Sequence, residues 1–177
     1  NLYFETSGRS ITQIISRDSR NHPEYASIGS KFIWKSTLAG SFLGGDEDYH
    51  KNEFELNWFN PVFDKLVIHQ TIKTGVIKKI ITSNNERSII PPSTKFFLGG
   101  SGIPYGEMLR GYQDNTIGPY GTTRPRGGNI ILKYSLELRY QLSEAPTVYG
   151  LIFSEMGNIW TDFNVVDPFD LKRSAGI

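Results

Sequence analysis

NIILKYSLELRYQ, residues 129–141, reads as two sequences woven together. Asn129, Lys133, Ser135, Glu137, Arg139 and Gln141 share one parity, interrupted only by Ile131, and Ile130, Leu132, Tyr134, Leu136, Leu138 and Tyr140 share the other. Successive strand side chains point to opposite faces, so this segment has one wet surface and one continuous apolar surface. The alternation recurs outward along the chain. Lys31, Lys35 and Thr37 oppose Phe32, Trp34 and Leu38; Glu53, Glu55 and Asn57 oppose Phe54, Leu56 and Trp58. His69, Thr71, Lys73 and Gly75 oppose Ile68, Ile72 and Val76, blurred by Val67 and Gln70. Residues 9–17 and 147–160 complete six strands, and residues 171–177 give a seventh, too short to cross a bilayer at the roughly 9 to 11 residues required. Little reads as helix.

Two all-β architectures produce such a pattern. A soluble sandwich keeps one face solvated, whereas a membrane barrel turns its apolar face to lipid and its polar face to a lumen. Trp34, Trp58, Tyr134, Tyr140 and Trp160 all fall on the apolar parity. They suit an interfacial aromatic girdle, which favours the barrel. The fold expected is therefore an antiparallel transmembrane β-barrel, present as about seven consecutive strands over residues 9–177. A barrel in lipid closes with an even number of about eight or more strands, so these strands belong to a larger wall.

Composition agrees. The net charge of +1 exerts no strong pull toward nucleic acid, and no apolar run approaches the roughly 20 residues of a spanning helix. The absence of cysteine excludes disulfides and thiolate chemistry. No basic stretch followed by an apolar core opens the chain, so secretion is not read from its start. Residues 1–4 match part of a common protease-cleavage tag, departing at Glu5, and residues 1–8 are either a tag or a strand lead-in.

The joints follow the same logic. Asn60-Pro61 and Glu144-Ala145-Pro146 read as tight turns, while Gly44-Gly45-Asp46-Glu47-Asp48 and residues 161–170 read as longer polar loops. The largest connection, about residues 81–127, carries five of the nine prolines, and loops of that length are usually functional or disordered. In it, Arg110 stands between glycine-rich arms, from Gly99-Gly100 through Leu109-Arg110-Gly111-Tyr112 to Ile117-Gly118-Pro119. Barrels pair short periplasmic turns with longer outer loops, which places this loop outside.

Other candidates for chemistry are poor. His22, His50 and His69 lack ligand spacing and read as solvated or lumen-lining. Asp46, Glu47 and Asp48 lack a calcium-loop pattern and read as a hydrated loop. The glycines from Gly99 to Gly106 form no dinucleotide fingerprint, and Ser101 sits on no nucleophile elbow because residue 103 is isoleucine. No catalytic constellation, metal site or cofactor is expected.

The arginine loop carries a resemblance. Phe96-Phe97-Leu98-Gly99-Gly100, Leu109-Arg110-Gly111-Tyr112-Gln113 and Asn115-Thr116-Ile117-Gly118-Pro119 resemble the sixth extracellular loop of the BamA family of β-barrel assembly proteins. Gly127-Gly128-Asn129, Ser135-Leu136-Glu137, Phe153-Ser154-Glu155-Met156-Gly157-Asn158-Ile159-Trp160 and Ser174-Ala175-Gly176-Ile177 continue the match in the family's order. The likeness is close over residues 96–177 and looser before. Leu109, Tyr112 and Glu155 depart mildly, standing where valine, phenylalanine and aspartate are common.

By that resemblance the chain spans roughly the eighth to the start of the fourteenth strand of a sixteen-stranded outer-membrane barrel. The loop folds into the lumen, with Gly99 and Gly100 as its hinge, and Arg110 meets acids on the inner wall at positions matching Glu137 and Glu155. The implied activity is insertion of client β-barrels into the outer membrane of a Gram-negative bacterium, without bond-making chemistry. The implied partners are accessory assembly lipoproteins, unfolded outer-membrane clients and lipid. A sister transporter of the same superfamily (a translocation-and-assembly factor or a two-partner secretion pore) and a passive channel are the alternatives. A rigid fork of donors facing two carboxylates makes physical sense out of water, where an unpaired guanidinium costs several kcal/mol.

Overall fold

The computed structural model describes residues 7–80, 89–122, 125–144 and 146–177. The tag-like residues 1–4, the start of the long loop at 81–88 and Ala145 in the second expected turn lie outside the described residues. Seven strands form one antiparallel sheet in chain order: β1 (Ser10–Asp18), β2 (Gly29–Ala39), β3 (Tyr49–Phe63), β4 (Leu66–Lys79), β5 (Ile130–Glu144), β6 (Thr147–Trp160) and β7 (Lys172–Gly176). β3 to β6 run 14 or 15 residues each, more than the roughly 9 to 11 that cross a bilayer. Among the described residues no helix is long and apolar enough to cross a membrane.

Register turns the alternation into a wall with two chemistries. Lys133 on β5 lies opposite Lys73 on β4 and Gly157 on β6, Ser135 opposite Thr71 and Glu155, and Glu137 opposite His69 and Phe153. All of these share the face that carries the long loop. On β3 that face bears Lys51, Glu53, Glu55 and Asn57; Phe54, Leu56 and Trp58 point the other way.

Ile131, the interruption in the polar parity, is 1% exposed because the loop packs there. Together with Ile77, Ile159, Ala39 and Tyr49 from the wall, it forms one apolar cluster with Phe96, Leu98, Leu109 and Ile117 from the loop. The end of this face nearest the long loop is thus a protein core. Gly75 makes room for it, since a Cβ there would sit 2.4 Å from the Phe96 ring.

Three expectations are corrected. Asn60-Pro61 is not a turn: β3 continues through it, with a register shift between Pro61 and Phe63, and the turn falls at Asp64-Lys65. A proline lacks the ladder donor but is tolerated at such an irregularity. Trp160 is not in an exposed girdle; it is 6% exposed, like its partner Ile130 at 7%, because residues 161–171 fold down over this outward face. Asn129 donates to the Thr161 carbonyl at 2.9 Å and Asn158 to the Asp170 carbonyl at 2.6 Å, which fixes that flap. Lastly, the β1–β2 connection lies at the same end as the Asp64-Lys65 turn yet is ten residues long, 19–28. It is held by Asn21, which accepts from the Ser27 and Ile28 amides, and it buries Ala26 against Phe59 and Val67.

Candidate functional site

The loop is built on a small ladder of its own. Glu107 N–H donates to Phe97 O at 2.8 Å, Gly99 N–H to Glu107 O at 3.0 Å, Leu109 N–H to Gly100 O at 3.2 Å and Ile117 N–H to Leu98 O at 3.1 Å. Gly99 and Gly100, read as the hinge, have φ of 131° and 56°. They are packed as well as bent, for a Cβ at Gly99 would lie 2.5 Å from Gln113 O. Leu98 and Leu109 are 0% exposed. Burying each side chain contributes about 1.5–3 kcal/mol, which offsets part of the entropy of ordering so long a segment.

Leu109 fixes where Arg110 emerges. The Arg110 backbone N–H donates to Glu155 Oε2 at 2.8 Å, while its Nε and Nη2 donate to Glu155 Oε1 at 3.0 and 2.7 Å. The same Nη2 reaches Glu137 Oε1 at 2.6 Å. The guanidinium lies 3.7 Å above the Phe153 ring. Glu155 is 1% exposed and Glu137 8%. Two carboxylates on adjacent strands and an aromatic face therefore surround one cation, the geometry in which arginine outperforms lysine. Because the donors are charged and the acceptors almost dry, these bonds are among the stronger kind. Burial works against its charge, but the hydrogen bonds to Glu155 and Glu137 and their charges together outweigh it and raise Arg110 above its ordinary pKa, so it stays protonated.

Gly111 follows with φ 83°, and its missing Cβ would sit 3.5 Å from Ser174 on β7. Tyr112 then donates its hydroxyl to Arg173 O at 2.9 Å. The four motif residues Leu109, Arg110, Gly111 and Tyr112 thus contact the core, β5 and β6, and β7 in succession.

Sequence reading missed several partners. Arg139 donates Nε and Nη2 to Glu137 Oε2 at 2.8 and 2.6 Å, so Glu137 bridges two arginines. The signal was available, since Arg139 shares Glu137's parity two residues on. His69 Nδ1 lies 3.3 Å from Glu137 Oε2, and its ring stacks on Phe59 with centroids 4.2 Å apart. Ser135 donates to Glu155 at 3.4 Å. A second tether joins Lys73 on β4 to Glu107 on the loop at 2.6 Å, and Lys51 donates to Thr94 O at 3.1 Å. Apart from Arg139 with Glu137, these pairings cross strands or loops, and no spacing rule reveals them.

The remaining candidates are placed as follows. Asp46 accepts from the Ser7 amide and Asp48 from the Ser41 amide, which commits both to loop backbone. Among the described residues no three metal-ligating side chains gather in one place. The site holds charges in fixed opposition and offers no activated nucleophile; what it can do is lock a loop against a wall.

Comparison with known proteins gives a consistent result. Residues 3–175 match the Omp85 superfamily domain. The outer membrane protein assembly factor BamA of Nitratidesulfovibrio vulgaris Hildenborough is 23% identical over 182 aligned positions, covering 98% of this chain and 22% of that protein. The crystal structure of BamA from Haemophilus ducreyi lacking POTRA domains 1-3 superposes with a TM-score of 0.75 at 19% identity, covering 94% of this chain and 35% of that one. The second likeness is one of fold. The chain thus spans well under half the length of either relative.

Proposed function

The chain belongs to the Omp85 superfamily, and on that premise we propose that it is the barrel segment of an assembly factor that inserts client β-barrel proteins into the outer membrane of a Gram-negative bacterium. Its loop-bearing face lines the lumen and its apolar face meets lipid. The observation that carries the reading is the Arg110 clamp: a long loop packed on one face of the sheet and bonded to Glu155 and Glu137. A passive pore gains nothing from filling its mouth with a packed loop, whereas a wall that must yield elsewhere needs one stiff side. Insertion itself is reading by strand edge: unpaired client backbone is costly in lipid, and a barrel offering a pairing edge and a distorted bilayer lowers that cost.

The activity requires no bond-making chemistry, cofactor or nucleotide. Partners on this reading are accessory assembly lipoproteins, unfolded outer-membrane clients and lipid. The test uses the full-length protein in liposomes with a urea-unfolded client barrel, following the heat-modifiable folded band on gels. The reading expects client folding about tenfold faster than in empty liposomes, a barrier change of about 1.4 kcal/mol, and most of that gain lost in Arg110→Ala. No acceleration together with large, steady conductance in a planar bilayer would replace the reading with a channel.

A further inference from the structure

On the outward face, at the arginine-loop end, the flap of residues 161–171 stops short of covering β3 and β4. Between Phe163 on the flap and the strands is a crevice of about 330 Å³, lined by His50, Asn52, Phe54, Val76 and Lys78 as well. Its polar part is ordered. Trp34 donates Nε1 to Asn52 Oδ1 at 3.2 Å, Asn52 Nδ2 lies 3.2 Å from His50 Nε2, and His50 Nε2 lies 2.9 Å from Ser36 Oγ. Lys78 is the Cα partner of His50 and is exposed. Its ammonium lies 5.1 Å from the centroid of the Phe163 ring and has no carboxylate within 4 Å among the described residues.

Outward positions of a barrel face lipid, and polar groups there are costly away from the interfaces. Three neighbouring positions of this wall nevertheless carry hydrogen-bonding groups, with a cation above them. An aromatic ring orients that cation without cancelling its charge, unlike a carboxylate. Below it, Phe54 stacks on Trp34 at 5.7 Å and begins the apolar belt that continues through Leu56 and Ile72. The crevice is therefore charged and hydrogen-bonding at its rim, and apolar toward the bilayer.

We propose that this crevice binds the phosphate group of an anionic membrane lipid, with Lys78 as the charged donor, Asn52 and His50 as orienting groups, and Phe54 and Val76 against the first acyl carbons. The proposal goes beyond insertion and needs only that the outward face meet lipid. It predicts an annular lipid held at the outer rim beside the flap.

The probe is phosphatidylglycerol, titrated into full-length protein in a neutral maltoside detergent, with bound lipid counted by native mass spectrometry. The expected result is binding about fivefold tighter than for phosphatidylcholine, the effect of one lysine near a membrane surface. Lys78→Gln removes that preference, and Lys65→Gln, at the opposite end, keeps it. Phe163→Ala, which trims an exposed ring and leaves the strands intact, weakens phosphatidylglycerol about threefold and carries the test should Lys78→Gln not fold. Preference persisting in both crevice variants would overturn the proposal and leave Lys78 as a side chain that simply reaches for water. Displacement of the lipid by millimolar inorganic phosphate would overturn it too, by showing a free-anion site.

Discussion

Arg110→Ala removes two side-chain donations to Glu155, one to Glu137 and the stacking contact with Phe153. The backbone donation survives only if the loop stays in place. Glu155, 1% exposed, is then left with the Ser135 hydroxyl at 3.4 Å. Breaking a buried pair by deleting one partner costs about 3–5 kcal/mol, because the other charge remains out of water. Here the lower end applies: the Arg110 side chain is 24% exposed, so water can enter, and Lys133 stands nearby on the same face. About 3 kcal/mol is expected, roughly a hundredfold in a local opening equilibrium. Hydrogen exchange on the full-length protein in detergent should show it as about hundredfold faster exchange over residues 107–113, while β5 and β6 change less. The decisive variant is Arg110→Ala combined with Glu155→Gln. Removing the stranded charge should recover about 2 kcal/mol relative to the sum of the single losses. Additivity within about 0.5 kcal/mol, or an Arg110→Ala effect no larger than that of exposed Arg126→Ala, would refute the clamp.

Two glycines in the loop should respond differently to alanine. Gly99→Ala meets both a φ of 131° and Gln113 O at 2.5 Å, whereas Gly111→Ala meets a φ of 83° with open space to 3.5 Å; thermal melts should show losses of about 3 and about 1 kcal/mol respectively. Glu107→Gln breaks the loop's tether to Lys73 but leaves that lysine Glu55 at 3.6 Å. Its cost, read by the same exchange experiment, should be about 1 kcal/mol, well below that of Arg110→Ala. Protection around Arg110 should also be nearly unchanged between about 0.05 and 0.5 M salt, since screening acts weakly on charges as buried as Glu155; a large loss would mean the pairs are solvated.

The sheet was largely legible because two faces with different solvents write period two into the chain. Residues 147–160 coincide with β6, and the reading of residues 129–141 differs from β5 only at its ends. Legibility failed where a third layer was added. Ile131 looked like an error in the polar parity until the loop covered it, and Trp160 looked like a girdle residue until the flap did. Asn60-Pro61 looked like a turn because composition cannot distinguish a proline at a strand irregularity from one at a corner. At the site, the resemblance pointed to Arg110, Glu137 and Glu155, and strand parity independently put Glu137 on the polar face. Arg139 could have been added from its i+2 position, whereas His69, 68 residues from Glu137, becomes a neighbour only through register.

The central claim is that the loop lies against the inner wall with Arg110 seated on its two acids. The chain has no cysteine, so a pair introduced into full-length protein whose cysteines elsewhere are replaced by serine can report that placement in native membranes. A Cβ at position 111 would lie 3.5 Å from the Ser174 Cβ, within the range of an unstrained disulfide. Gly111→Cys with Ser174→Cys should cross-link on mild oxidation, and adding Arg110→Ala should slow that reaction severalfold. A pair that never links, or that links equally fast without Arg110, would contradict the account.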